Sequence, residues 1–187
     1  MKLSIVSYLD PDSTKYVRDL QQGLSKVSGS NASLNSWEPH ITVGDGIEIN
    51  DSELEQVKAG LVNLAHGIKP FSINLQGVGS RDDRIGGKDE VTTPYVVYLN
   101  AIVNDELQTL VDQVKKRTGA FSKWYVMPRP YLAHVTLAFR DLTKDGFDSG
   151  LRSLSGKRPS TMSKVGHLSL VEKLPDVDRE LLRFDLG

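Results

Sequence analysis

Apolar and polar positions change period several times along the chain. Leu3, Ile5 and Ser7 alternate with Ser4, Val6 and Tyr8, a run of period two that predicts a short strand ending at Asp10-Pro11. From there the spacing lengthens. Tyr16, Leu20, Leu24 and Val27 recur at helical intervals, with Asp10 as N-cap, Pro11 in the first turn and Gly29 as the stop. The small polar run 28–36 predicts a loop, and Pro39-His40-Ile41-Thr42-Val43 a strand ended by Gly44-Asp45-Gly46. Asn50 and Glu53 read as a capping box opening a helix with Leu54, Val57, Leu61 and Leu64 on its apolar stripe and Gly67 at its end. A strand from about Phe71 to Val78 closes this half.

The same order then returns. Tyr95 to Val103 reads as a strand. Asn104 caps a helix carrying Leu107, Leu110, Val111 and Val114, which ends near Gly119. A loop with Trp124, Tyr125, Pro128 and Pro130 leads into a strand from Tyr131 to Phe139. A short helix with Phe147, Leu151 and Leu154 precedes strands near Ser163–Val171 and Glu180–Asp185. His40 follows Leu3, and His134 follows Val96, at offsets that differ by a single residue. A period this long is not that of a solenoid. It predicts a duplicated α/β half, with two sheets facing each other across a cleft and Ser80–Glu90 as the surface loop joining the halves.

Composition narrows the field without choosing within it. The chain has 187 residues, 39% hydrophobic and 25% charged, which suits one bilobal domain over 1–187. A formal net charge of −1 gives no field to draw the chain onto DNA, yet leaves room for a small anionic substrate. The absence of cysteine excludes disulfides, thiolate metal sites and cysteine nucleophiles together. No apolar run approaches the roughly 20 residues of a membrane span, and the N-terminus does not read as a signal peptide. The expectation is a cytoplasmic monomer without a membrane partner.

The chemistry lies in two strand segments, Glu38-Pro39-His40-Ile41-Thr42-Val43 and Leu132-Ala133-His134-Val135-Thr136-Leu137. In a strand, residues i and i+2 share a face. His40 and Thr42 therefore project together, backed by Ile41 and Val43, as do His134 and Thr136 against Val135 and Leu137. A pseudo-twofold between the halves would bring both pairs to one point. There, one neutral imidazole can take a proton and the other, protonated, can give one, each transfer contributing roughly 10²–10⁴-fold in rate. The threonine hydroxyls can donate to phosphate oxygens where charge builds in the transition state. This scheme for phosphodiester cleavage needs no metal and no cofactor. A single His-x-Thr strand is commonplace, since threonine is a good strand residue; two at matching places in a repeat are not.

The doubled motif resembles that of the 2H phosphoesterase superfamily, which includes LigT-like 2′-5′ RNA ligases and phosphodiesterases and the cyclic nucleotide phosphodiesterases. Pro-His-Ile-Thr-Val and Ala-His-Val-Thr-Leu-Ala-Phe fit its pattern at both places, and the element order fits along essentially the whole chain. The resemblance implies a bilobal α+β fold with two antiparallel sheets flanking the cleft. It implies that His40, Thr42, His134 and Thr136 are the catalytic four, and that the reaction opens a 2′,3′-cyclic or 1″,2″-cyclic phosphate or cuts a 2′-5′ linkage, without a metal. Which histidine is acid and which is base stays open at this point.

Beyond these four, Arg129, Tyr131, Trp37 and Trp124 flank the motifs and are candidates for holding a nucleotide or an RNA end, by charge or by stacking on a base. Tyr131 stands three residues before His134, so a regular strand would point it to the opposite face. His167-Leu168-Ser169 is a third His-x-Ser, read as a sheet histidine, and His66 as a helix-end histidine facing the dipole. Arg81, Arg84 and Lys88 alternate with acidic residues, as on a solvated surface. Two rivals to hydrolysis remain: 2′-5′ RNA ligation, which is the reverse chemistry, and a non-catalytic nucleotide- or RNA-binding module, which would bind without turnover.

Overall fold

A computed structural model describes residues 1–36, 38–83, 93–121, 131–174 and 177–187. The chain runs β1 (Lys2–Tyr8), α1 (Pro11–Ser28), α2 (Ala32–Ser36), β2 (His40–Glu48), α3 (Asp51–Ala65), β3 (Phe71–Arg81), β4 (Val96–Ala101), α4 (Asp105–Thr118), β5 (His134–Ala138), α5 (Lys144–Leu154), β6 (Ser160–Val165), β7 (His167–Glu172) and β8 (Arg179–Asp185). The predicted caps are in place. Asp10 accepts from Ser13 N at the start of α1, Gly29 closes it at φ 74°, Asn50 and Glu53 form the capping box of α3, and Asn104 caps α4.

The strands form two antiparallel four-stranded sheets, β2-β1-β7-β8 and β5-β4-β3-β6. This is the bilobal α+β architecture that the duplication predicts. The two orders match over their first three positions: motif strand at the edge, first strand of the same half beside it, then a strand from the other half. Each half thus sends a strand across, with β3 lying beside β4 and β7 beside β1. Helices α1 and α5 pack on the second sheet, α3 and α4 on the first. Each sheet so has one helix-covered face. On it lie Leu3, Ile5, Ile41 and Val43 in the first sheet, and Val97, Leu99, Val135 and Leu137 in the second, all at most 2% exposed. Fully burying such side chains stabilises by roughly 1.5–3 kcal/mol each.

Three elements differ from the sequence reading. The predicted loop 28–36 contains α2, because Asp141 accepts from the backbone N–H groups of Asn31 and Ala32 and so satisfies the start of a helix. Strand β2 does not stop at Gly44-Asp45-Gly46. It continues through a bulge, with Gly46 at φ 67° and a register shift against β1; Gly77 at φ 79° makes the corresponding bulge in β3. Third, the stretch near Ser163–Val171 is two strands in two different sheets, and the chain crosses between them at Gly166.

One buried polar path joins α1 to the second motif strand. Gln21 is 3% exposed; its Nε2 donates to Thr136 O at 2.9 Å, and its Oε1 accepts from Arg18 Nη1 at 3.1 Å. The same Arg18 nitrogen donates to Ser33 O and Leu34 O in α2. Gln21→Met keeps the length of the side chain but leaves the Thr136 carbonyl without its donor. The expected cost is about 1–3 kcal/mol, seen as a lower urea midpoint at constant slope. An unchanged midpoint would show that the path contributes nothing to stability.

Candidate active site

The two motif strands are the edge strands β2 and β5, and they lie in contact across the cleft. Alternation does what the pattern requires: Ile41, Val43, Val135 and Leu137 are buried, while His40, Thr42, His134 and Thr136 are each partly exposed on the other face. Tyr131, whose ring packs at the edge of the core, donates from its hydroxyl to Thr42 O at 2.7 Å. It joins the approach to the second motif directly to the first motif strand.

Each imidazole is fixed through the same nitrogen. His40 Nδ1 lies 2.8 Å from Glu38 O and His134 Nδ1 lies 3.0 Å from Leu132 O, in both cases the carbonyl two residues earlier. A carbonyl oxygen only accepts, so Nδ1 must carry the hydrogen. Nε2 is then the nitrogen left to take up or release a proton. The rings are also backed by tyrosines: Tyr8 meets His40 edge-on with centroids 5.9 Å apart, and Tyr98 lies 4.9 Å from His134. Neither Thr42 nor Thr136 has a hydrogen-bond partner for its hydroxyl among the described residues, so both hydroxyls can donate to a ligand.

Tyr98 can lie where it does because Gly79, its register partner on β3, has no side chain. A Cβ at Gly79 would collide with the Tyr98 ring.

His40 has its pKa pushed down to about 4, chiefly by desolvation and further by the positive charges of Lys173 and His134, while the contact with Glu38 O works the other way. The effect of His134 on His40 also places the two rings within electrostatic reach of each other. Lys173 itself holds Asp178 at 3.8 Å. Tyr8 is pushed up to about 12, by burial first and by Glu180 next.

Of the residues picked from sequence for substrate contact, Trp37, Trp124 and Arg129 lie outside the described residues, as do Arg84 and Lys88. Tyr131 holds the Thr42 carbonyl. His167 sits on β7, 6.2 Å from the Tyr8 ring, with Nε2 buried and without a hydrogen-bond partner among the described residues; the Ser169 hydroxyl donates to Glu180. Tyr8, Tyr98, Lys173 and Gly79 were missed. The two tyrosines stand on the strands next to the motif strands, a signal open only to a reader who already knows which strands pair. A larger hollow of about 560 Å³, bounded by Lys2, Glu48 and Phe121 among others, lies at the end of the β1–β2 pair away from His40.

The fold has close relatives in shape. E. coli LigT, in a structure with 3′-AMP, superposes with a TM-score of 0.67 at 15% identity, over 100% of this chain and 98% of that one. A structure described as a phosphoesterase gives 0.66 at 16% identity, over 100% and 98%. The protein TT0787 of Thermus thermophilus gives 0.61 at 20% identity, over 100% and 98%. No curated protein sequence matches the chain. The family model of the 2′-5′ RNA ligase superfamily matches residues 9–176, a span that takes in both His-x-Thr strands. With that match over most of its length, the chain belongs to the 2′-5′ RNA ligase superfamily of 2H phosphoesterases.

Proposed function

We propose that the chain is a metal-independent phosphodiesterase that opens a 2′,3′-cyclic (or 1″,2″-cyclic) nucleotide phosphate, with His40 as general base and His134 as general acid. The observation that carries this reading is the pair of imidazoles on facing edge strands, each held by Nδ1 so that Nε2 does the proton transfer. A neutral His40 takes a proton from water, whose oxygen attacks phosphorus. His134, protonated, gives its proton to the departing ribose oxygen as the P–O bond breaks. Exchange with solvent then resets both rings. The Thr42 and Thr136 hydroxyls donate to the non-bridging oxygens as their charge grows, and Lys173 adds positive charge near His40. That LigT is solved with 3′-AMP, a monophosphate of the kind that ring opening releases, supports a nucleotide substrate.

The family's name keeps 2′-5′ ligation in view as a second reading, because the same four side chains serve the reverse reaction. Joining a 2′,3′-cyclic end to a 5′-hydroxyl end would favour it over hydrolysis.

Turnover of the four 2′,3′-cyclic nucleoside monophosphates is expected to persist in EDTA. His40→Ala and His134→Ala should each lose at least about 10²-fold in kcat, and unaltered turnover in both would sink the proposal.

The pH profile follows from the sign of the His40 shift. Its folded-state pKa lies below the ordinary histidine value of 6.5, so the neutral base persists as pH falls through 6.5 and is lost only near 4. The acidic limb of kcat/KM should therefore lie well below pH 6. A limb at 6.5 that disappears in His40→Ala would show the base titrating at its ordinary value and contradict the downward shift, and an acidic limb unaffected by His40→Ala would contradict the assignment of His40 as base.

Gly79→Ala should displace the Tyr98 ring from beneath His134 and lower kcat by about tenfold or more. Full activity in Gly79→Ala would show that the tyrosine does not position the histidine.

A further inference from the structure

On the His40 side of the cleft, a cavity of about 240 Å³ is lined by Tyr8, Ser36, Glu38, Asp178, Glu180 and Arg183. Two of these residues also belong to the proposed catalytic centre. The Tyr8 ring meets His40 edge-on, and Glu38 supplies the carbonyl that fixes His40 Nδ1. The cavity therefore begins where the phosphate site ends.

Its charges cancel in part. Arg183 donates to both carboxylate oxygens of Glu180, at 2.9 and 3.2 Å, and places its guanidinium 5.6 Å from the centroid of the Tyr8 ring. Glu180 also accepts from Ser169. Asp178, its side chain 7% exposed, is answered by Lys173 at 3.8 Å. That leaves the carboxylate of Glu38, exposed at the cavity, within electrostatic reach of Arg183 and Arg18 but receiving no hydrogen bond from any described residue. With three carboxylates against one arginine in its lining, the cavity disfavours a second phosphate of a substrate. A group rich in hydrogen-bond donors and flat enough to lie against a tyrosine–arginine pair would be held.

Resting on the reading of the cleft as a nucleotide phosphodiesterase site, we infer that this cavity is the base subsite and that it selects a nucleobase whose edge donates, guanine first. Guanine presents N1–H and N2–H side by side and so can meet both oxygens of Glu38. Adenine and cytosine offer an amino group beside a ring acceptor. Uracil offers one N–H flanked by two carbonyls, which would face the carboxylate oxygens. The base lies against Tyr8 and Arg183 while its phosphate sits between the histidines.

The test is the ratio of kcat/KM for 2′,3′-cyclic GMP over 2′,3′-cyclic UMP, in which losses common to both substrates cancel. The wild-type protein is expected to favour guanine by about tenfold or more, and Glu38→Gln to bring the ratio close to one. Because Glu38 is exposed and its backbone carbonyl is unchanged, the variant keeps the tie to His40. Equal turnover of the two substrates by the wild type, or an unaltered ratio in Glu38→Gln, overturns the subsite while leaving the phosphodiesterase reading intact. If neither substrate turns over, that reading fails by itself. The subsite is then decided by calorimetric binding of 3′-GMP and 3′-UMP: selective binding of 3′-GMP that Glu38→Gln abolishes upholds it, and equal binding overturns it.

Discussion

Each histidine of the two motifs is tied through Nδ1 to the carbonyl oxygen two residues before it, Glu38 O for His40 and Leu132 O for His134. The proposed chemistry depends on this contact. A free imidazole divides its proton between two nitrogens and rotates about its side-chain torsions. A ring bound in this way has one tautomer, and one nitrogen available for transfer. The contact is local, made within the segment entering each strand, so it needs no partner elsewhere in the fold. Proline at position 39 and alanine at 133 differ, yet both segments reach the same geometry.

Local geometry alone would leave two identical but separate half-sites. What joins them is an exchange of strands, β3 into the sheet of β4 and β7 into the sheet of β1. Each sheet is therefore built from both halves, and backbone hydrogen bonds between β1 and β7 and between β3 and β4 tie the two halves together. The Tyr131 hydroxyl on Thr42 O and the Gln21 amide on Thr136 O add side-chain ties to the same two strands. Both ties end on the carbonyl of a motif threonine, whose hydroxyl stays open to a ligand.

Much of this was legible in the sequence because it rests on period and capping. Alternation in 40–43 and 134–137 gave the shared face of each His-Thr pair, and Asp10, Asn50 and Asn104 marked three helix starts that the structure keeps. What was not legible depends on partners distant in the chain. Gly44–Gly46 looks like the end of a strand until β1 is seen pairing beyond it, when it becomes a bulge. Helix α2 is too short to announce itself, and it forms because Asp141, more than a hundred positions away, satisfies its first N–H groups. The roles of Tyr8, Tyr98 and Gly79 follow from register, and register between β3 and β4 or between β1 and β2 is not written in either strand by itself.

The halves match in backbone but not in surroundings. Two imidazoles close enough to interact already favour opposite protonation states, because the charge on one disfavours the charge on the other, and unlike surroundings add a preference for which ring stays neutral. Here His40 has Tyr8 at its edge and feels the charge of Lys173; its charged form is disfavoured by desolvation before any neighbouring charge is counted. His134 rests against Tyr98 on the other sheet, over a glycine that leaves room for the ring. The asymmetry extends outward. Beyond His40 the first sheet carries a cavity with an open carboxylate, a paired arginine and a tyrosine. On the proposed reading, a phosphate between the two rings and a donor-bearing base beside Glu38 would together set the direction of the substrate, and with it which ester oxygen faces His134.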